Sequence, residues 1–288
     1  MWDNQTIKAR GLFVNTESGD IVARSYEKFF NINERPETEL INLQNTLSFP
    51  IKAYVKYNGY LGLVGYNAQY NELFISSKSS DEGNFAQWLR EIFFNKINKK
   101  QEEEIKQYLK ENNCNLVFEV IDPEDDPHII KYNNKDIVLL DIVYRTKDYQ
   151  KADYQEVINF ANKYNLHYKE LAYTINSWQD FYKWYNDISI DDWKYKNNYI
   201  EGFVIEDSKG FMTKIKLQYY KFWKHMRSVK EAVLNNNHNK VMSSLQTPFE
   251  NEFFEWLRLQ NKNQLKKDII TLRETFYKEK SLSELPRA

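Results

Sequence analysis

Lys56-Tyr57-Asn58-Gly59 holds an amine at the end of a strand-like run and directly before a glycine turn. A lysine fixed there points into a cleft and can act as a nucleophile if its pKa is lowered. The string alone is weak, because a surface lysine in an ordinary hairpin gives the same pattern. Phe118-Glu119-Val120 sets a carboxylate inside an apolar run. Burying that group unpaired is costly, so it needs a partner or a ligand. Glu201-Gly202-Phe203-Val204 repeats the arrangement, an acid beside a glycine and then a strand. Lys214-Ile215-Lys216 puts two ammonium groups on one face of a strand, since side chains alternate, and such a pair suits a triphosphate. Taken singly, each is as well explained by a rim residue or a salt bridge.

Several short elements must bring these groups together. Ala9 to Val14 and Asp20 to Arg24 read as strands around a turn at Glu17-Ser18-Gly19, and Lys52 to Val64 reads as a β-hairpin turning at Asn58-Gly59. Leu73 to Ser76, Asn115 to Ile121 and Ile137 to Val143 read as further strands, with a turn-rich acidic loop over Asp122 to Pro127. Helical spacing joins Phe85, Trp88, Leu89 and Ile92, then Ile105, Tyr108 and Leu109, then Val157, Phe160 and Ala161, then Trp178, Phe181 and Tyr182. Tyr199 to Ile205 and Phe211 to Leu217 form a second hairpin around Asp207-Ser208-Lys209-Gly210. From about Tyr219 the pattern is helical to the end, with a loop at Asn235 to Asn239. The fold class is therefore α+β, a mixed body followed by a small all-helical unit.

Composition narrows the field only a little. The formal net charge is -1, so a nucleic-acid surface would have to be local. One such patch exists. Lys214, Lys216, Lys221, Lys224, Arg227 and Lys230 run without an intervening acid, and Tyr219, Tyr220, Phe222 and Trp223 interleave with them. An amphipathic helix with its aromatics packed inward fits the same residues. Cys114 is the lone cysteine, which excludes an internal disulfide and fits a reducing compartment. Its apolar neighbours make it a buried structural thiol rather than a nucleophile. The N-terminus is polar and no apolar run approaches a membrane span, so the expectation is a soluble cytoplasmic protein without a membrane partner. His128, beside Asp125 and Asp126, reads as a structural loop histidine, and the other histidines have no ligand spacing.

The ordered set Lys56-x-x-Gly59, Phe118-Glu119, Glu201-Gly202 and Lys214-x-Lys216 resembles nucleotidyl motifs I, III, IV and V. These belong to the covalent nucleotidyltransferase superfamily of nucleic-acid ligases and mRNA capping enzymes. Ala9-Arg10-Gly11-Leu12-Phe13, Ile21 to Arg24, Lys28-Phe29-Phe30-Asn31 and Ser76-Ser77-Lys78-Ser79 resemble the RNA ligase 1 branch, which includes phage RNA ligases and the ligase domain of fungal tRNA ligases. The likeness covers roughly residues 8 to 225.

The resemblance implies a nucleotidyltransferase fold of antiparallel sheets with flanking helices over residues 1–225, and a helical C-terminal subdomain over 226–288. It implies an ATP-dependent RNA ligase that joins 5′-phosphate and 3′-hydroxyl RNA ends through lysyl-AMP and RNA-adenylate. Lys56 would be the nucleophile and Gly59 would shape its turn. Glu119 would lie near the ribose, and Glu201 would hold Mg²⁺ or Mn²⁺. Lys214 and Lys216 would serve the phosphates, Tyr220 would match a functional tyrosine of the branch, and with it Arg10, Lys28, Phe30 and Lys78 would complete the nucleotide site. Lys221, Lys224 and Arg227 are the candidate RNA contacts. The metal, Lys214 and Lys216 are expected to depress the pKa of Lys56. Asn58 stands where many ligases carry Asp. Broken tRNA is one candidate substrate, and the lack of a P-loop or further catalytic domain leaves end-healing to another protein. A DNA ligase or GTP-using capping enzyme lacks the segment from Arg10 to Asn31. A catalytically inert RNA-binding relative would not need the whole lysine and glutamate set.

Overall fold

The structure is a computed structural model that describes residues 2, 3 and 5–282. Its strands are β1 (Leu12–Val14), β2 (Ile21–Arg24), β3 (Ile51–Lys56), β4 (Tyr60–Asn67), β5 (Glu72–Ser77), β6 (Cys114–Ile121), β7 (Asp136–Tyr144), β8 (His167–Tyr168), β9 (Leu171–Ile175), β10 (Gly202–Glu206) and β11 (Met212–Lys216). The helices are α1 (Leu40–Thr46), α2 (Asn84–Lys96), α3 (Lys99–Glu111), α4 (Tyr154–Lys163), α5 (Trp178–Asp187), α6 (Gln218–Leu234), α7 (Asn239–Met242), α8 (Pro248–Leu259), α9 (Lys262–Leu265) and α10 (Ile269–Glu279). One sheet runs β11-β10-β3-β9, a second runs β5-β4-β6-β7-β8, and β1 and β2 pair separately.

The second expected hairpin is present. β10 and β11 pair antiparallel from Gly202↔Lys216 to Glu206↔Met212, and Gly210 takes the positive φ that closes the turn. The first is absent. β3 pairs with β10 and β9, while β4 pairs with β5 and β6, so Tyr57-Asn58-Gly59 carries the chain from one sheet into the other. Neither Asn58 nor Gly59 adopts a positive φ. An Asn-Gly pair signals a tight hairpin only where both residues turn left-handed, and here the glycine serves a different need. The stretch from Lys28 to Asn31 forms no strand beyond a single bridge between Asn31 and Lys214, and Ala9 to Gly11 is a turn rather than part of β1.

Each large sheet buries one face under helices. Ala53, Val55, Phe203, Ile205 and Ile215 of the four-stranded sheet share a core with Leu43 of α1 and Phe181 of α5. Phe118, Val120 and Leu139 of the five-stranded sheet pack with Leu89 and Phe93 of α2, Ile105 and Leu109 of α3, and Val157 and Phe160 of α4. Full burial of each such side chain contributes about 1.5–3 kcal/mol. Helix entry is set by local caps. The Asp153 carboxylate accepts from the Glu156 N–H to start α4, and Thr247 with Glu250 forms a capping box at α8, each contributing about 1 kcal/mol. Cys114 is buried in the core of the five-stranded sheet, where burial pushes its thiol up to about 12, in keeping with a structural role.

The C-terminal helices form their own core around Trp223, Phe253, Leu257 and Phe276. The boundary expected between residues 225 and 226 falls inside α6, and Tyr219 and Tyr220 near its start already belong to this core. Ile129 and Ile130, from the far end of the acidic loop, pack into it as well. No helix among the described residues is long and apolar enough to cross a membrane.

Candidate active site

The uncovered faces of the two large sheets enclose a cleft of about 530 Å³. Strand alternation selects what faces it. Tyr54 and Lys56 of β3, Val204 of β10 and Met212, Lys214 and Lys216 of β11 line one wall, while Leu61 of β4, Glu119 of β6 and Asp141 of β7 line the other. Register then aligns the chemistry, because Gly202 stands opposite Lys56 on one side and Lys216 on the other. A Cβ at Gly202 would lie 1.9 Å from the Ile215 carbonyl oxygen, so only glycine lets the three strands close at this rung. Glu201 immediately precedes it. Its carboxylate lies 3.1 Å from Lys56 Nζ and 2.8 Å from Lys216 Nζ.

Asn58 locks the same carboxylate. Its Nδ2 donates to Glu201 Oε2 at 3.0 Å, and its Oδ1 accepts from the backbone N–H groups of Ile129 and Ile130 at 2.9 and 3.0 Å. The Asn58 backbone N–H donates to the Tyr132 hydroxyl. Nothing in the sequence gave Asn58 this role beyond its place in the motif. Glu119 accepts from the Gly59 N–H at 2.8 Å. A Cβ at Gly59 would sit 1.9 Å from the Val120 carbonyl oxygen, so the glycine is required by close approach to β6. Gly59→Ala must push the turn away from β6. The expected cost is about 1–3 kcal/mol of stability, and a displacement near 1 Å at Lys56 is worth roughly 10²-fold in rate. Thermal melting together with covalent nucleotide labelling checks both, and an unaffected labelling rate would deny the turn its positioning role.

Electrostatics correct one expectation. Burial pulls the Lys56 pKa down, but Glu201 and then Glu119 outweigh it, and the ammonium is held above its ordinary value. The amine drawn down is Lys214, to about 7, by burial and then by Lys28, Lys56, Lys216 and Arg10. Burial raises Glu201, but Lys56 and Lys216 overcome it and hold the carboxylate low. Glu119 is raised, by burial first and by Glu201 among its neighbours. In the free protein Lys56 is not depressed, because the carboxylates of Glu201, at 3.1 Å, and of Glu119 outweigh its burial.

Arg10, Gly59, Lys78, Glu119, Glu201, Lys214, Lys216 and Tyr220 all reach the cleft with Lys56. Lys216 also lies over the Tyr220 ring at 4.5 Å. Lys28 and Phe30 do not line it. Phe30 is buried between Lys28, 5.0 Å above its ring, and Arg35, 4.2 Å away, and Phe29 faces the cleft instead. Lys28 still acts on the site by field, since it is among the cations that lower Lys214. Of the candidate RNA contacts, Lys224 and Arg227 stand on the cleft wall and Lys221 does not. Trp223 and Met226 are fully buried, so along this stretch of α6 the aromatics serve the core as well as the site.

Sequence reasoning missed the other end of the cleft. Asp141 is fully buried, and accepts from Lys169 Nζ at 2.6 Å and from the Tyr26 hydroxyl. Lys151 lies 3.3 Å from Asp141 and 2.9 Å from Glu206, tying the five-stranded sheet to the four-stranded one. His128 pairs with Asp126 at 2.7 Å, and both line the cleft rather than open solvent.

Among the described residues no group of three or more His, Cys, Asp or Glu side chains forms a ready metal cage. A small hard dication does not require one, because it retains water and binds through one or two carboxylates together with phosphate oxygens. Glu201, with Glu119 close enough to feel its charge, fits that donor set.

The family described as RNA ligase matches this chain over residues 8–220. A tRNA ligase of Candida albicans is 24% identical over 295 residues, covering 87% of this chain and 34% of the relative. tRNA ligase 1 of Schizosaccharomyces pombe is 24% identical over 300 residues, covering 93% and 38%. The chain thus spans little more than a third of the length of these curated relatives. Among solved structures, a putative ATP-dependent DNA ligase from Aquifex aeolicus aligns with a TM-score of 0.55 at 14% identity, covering 97% of this chain and 68% of the other. An archaeal ATP-dependent RNA ligase aligns at 0.55 and 12% identity, covering 92% and 64%. A mutant of the Naegleria gruberi RNA ligase with ATP and Mn aligns at 0.52 and 15% identity, covering 68% and 57%. The fold expected from the motifs, a nucleotidyltransferase-type α+β fold, is the fold of these structures.

Proposed function

The chain belongs to the RNA ligase family, and from that membership we propose that it is an ATP-dependent RNA ligase in which Lys56 carries the adenylate. The observation that carries this reading is the Lys56–Glu201–Lys216 rung, set in the wall of a nucleotide-sized cleft beside Arg10 and Lys214.

Three transfers make up the reaction. In the first, Lys56 Nζ, neutral when it attacks, forms a bond to the α-phosphorus of ATP, pyrophosphate leaves, and the nitrogen releases one proton to solvent and keeps one N–H in the phosphoramidate. In the second, a 5′-phosphate oxygen of RNA displaces the lysine and takes the AMP. In the third, a 3′-hydroxyl attacks that 5′-phosphorus, AMP leaves and the strand is sealed. Such chemistry asks mainly for positioning and charge stabilisation. Arg10, Lys214 and Lys216 supply cations to the phosphates, and Glu119 is available to the ribose. Glu201 holds the Lys56 proton until the nucleotide is in place. Bound at Glu201, a divalent cation such as Mg²⁺ or Mn²⁺ would supply positive charge to the carboxylate and so favour the neutral amine. Because Lys56 is held above its ordinary pKa in the free protein, adenylylation accelerates as pH rises through neutrality.

RNA with a 5′-phosphate and a 3′-hydroxyl is the proposed substrate, and the two relatives named tRNA ligase make a cleaved tRNA the first to try. Ends that need healing would be prepared by a separate enzyme. Residues up to the start of α6 are proposed as the adenylyltransferase unit and the following helices as its C-terminal subdomain. The lone buried Cys114 suits work in the cytoplasm.

The test is incubation with [α-³²P]ATP or [α-³²P]GTP and a divalent cation, followed by denaturing electrophoresis and then by sealing assays on nicked stem-loops. Label from ATP and sealing of RNA are expected. Label from GTP alone would transfer the chain to capping chemistry, and RNA binding without any label would make it an inert relative.

A further inference from the structure

We propose that Arg273, on α10, is a positioning residue for the Lys56–Glu201 pair, acting through the Ile129-Ile130 backbone and Asn58. The inference rests on the function proposed above. It concerns what the helical unit contributes to the first chemical step.

The connection is a continuous run of short, buried hydrogen bonds. Arg273 Nη1 donates to the Ile129 carbonyl oxygen at 3.2 Å. The N–H groups of Ile129 and Ile130 donate to Asn58 Oδ1 at 2.9 and 3.0 Å. Asn58 Nδ2 donates to Glu201 Oε2 at 3.0 Å, and that same oxygen lies 3.1 Å from Lys56 Nζ. Arg273, Ile129, Asn58 and Glu201 are each 5% exposed or less, so water cannot stand in for a broken link.

Arg273 is an unusual residue for a helical core. Among the described residues it has no ion-pair partner, and a buried cation without one is costly. The rings of Tyr219 and Trp223, with centroids 5.4 and 5.2 Å from its guanidinium carbon, offset part of that cost and fix the group in place. What the charge then reaches is one carbonyl, at the peptide that faces the catalytic turn. Asn58 has no slack to absorb a movement there, because both ends of its amide and its backbone N–H are engaged. A displaced Ile129-Ile130 segment therefore withdraws a donor from Glu201 Oε2 and leaves that oxygen more fully to Lys56.

The groups that face Lys56 from the surrounding elements are Glu201 ahead of β10, Glu119 on β6, Lys214 and Lys216 on β11 and Tyr220 on α6. Without the Asn58 donor the Glu201 carboxylate is held by its two ammonium partners alone and is no longer fixed in orientation. The maximal single-turnover rate then falls while the half-saturating ATP concentration stays where it was. A mere loss of folded protein would lower the yield of adduct and leave the rate constant of the folded fraction unchanged.

The experiment measures single-turnover adenylylation of the full chain against ATP concentration for wild type, Arg273→Met, Arg273→Lys, Asn58→Ala and the Asn58→Ala/Arg273→Met pair. Arg273→Met is expected to slow the maximal rate roughly tenfold and to leave the half-saturating ATP concentration unchanged. Arg273→Lys, which keeps a donor, should recover most of the rate. The double variant should be no slower than Asn58→Ala alone, as befits two members of one relay. Should the methionine variant not fold, Arg273→Gln takes its place in the same cycle. Additive losses, or a wild-type maximal rate in a folded variant lacking the Arg273 donor, would overturn the relay. Absence of any adduct in the wild type would instead overturn the proposed function.

Discussion

Lys56→Ala is expected to leave no adenylate on the protein, whereas Lys214→Ala is expected to keep the adduct on Lys56 and form it roughly 10²–10³-fold more slowly. The contest between these two amines is real. With a pKa near 7, about half of Lys214 is neutral at neutral pH, while Lys56 is held charged by Glu201. Availability alone would choose Lys214. Its lowered value, however, comes from burial and from the cations packed around it, namely Lys28, Lys56, Lys216 and Arg10. A polyphosphate arriving among those cations neutralises the repulsion and returns Lys214 to its charged form, which serves as a phosphate ligand and has no lone pair to attack with. The Lys56 charge depends first on the Glu201 carboxylate and then on Glu119, and whatever engages Glu201 removes the larger part of that hold. Each amine therefore changes character in the opposite sense when nucleotide binds. Peptide mapping by mass spectrometry after incubation with ATP locates the adduct. An adenylate on Lys214 in the wild type, or one persisting in Lys56→Ala, would reverse the assignment.

The reason the sequence reached so much of this site, and the places where it stopped, follow from what spacing can encode. Lys214 and Lys216 share a face because strand alternation is local, and the hairpin bearing them closes on a glycine with positive φ that any chain of this pattern would need there. Gly59 looked the same and was not. Its requirement comes from the Val120 carbonyl, more than sixty positions away, and no turn preference records that. Phe29 and Phe30 could not be ordered from spacing, since their segment lacks a ladder and so has no period to say which ring faces inward. Asp141 and Lys169 meet across 28 positions, and each alone reads as a strand residue or a surface lysine. The Asn58 amide and Arg273 belong to the same class. Their value lies in partners brought by tertiary packing, and only the motif position of Asn58 hinted at it.

Glu201→Gln should produce two effects of opposite sign. The carboxylate is the principal charge raising Lys56, so its removal lowers the pH midpoint of whatever adenylylation remains. The maximal rate should nevertheless fall by roughly 10²–10³-fold, because the group that aligns Lys56 with Lys216 and offers an anionic ligand to a cation is gone. Stability falls as well. Removing one partner from a buried ion pair costs about 3–5 kcal/mol when it leaves a charge uncompensated, and here two ammonium groups would be left facing each other. Glutamine retains hydrogen bonding and belongs at the low end, with alanine at the high end. The pH range of this difference follows from the two shifts. Glu201 is held below its ordinary value of 4.5, so its contribution is present above that value and is lost as pH falls through the depressed one. Lys56 is held above 10.5, so its contribution is present below that value and is lost as pH rises through the elevated one. The wild type should exceed Glu201→Gln in stability across the broad neutral window, and the two should converge at both extremes. Denaturant melts at several pH values, paired with single-turnover labelling over the same range, measure both effects. A midpoint that rises in Glu201→Gln would mean that this carboxylate does not hold the Lys56 proton, and the account of how the amine is kept in reserve would have to be abandoned.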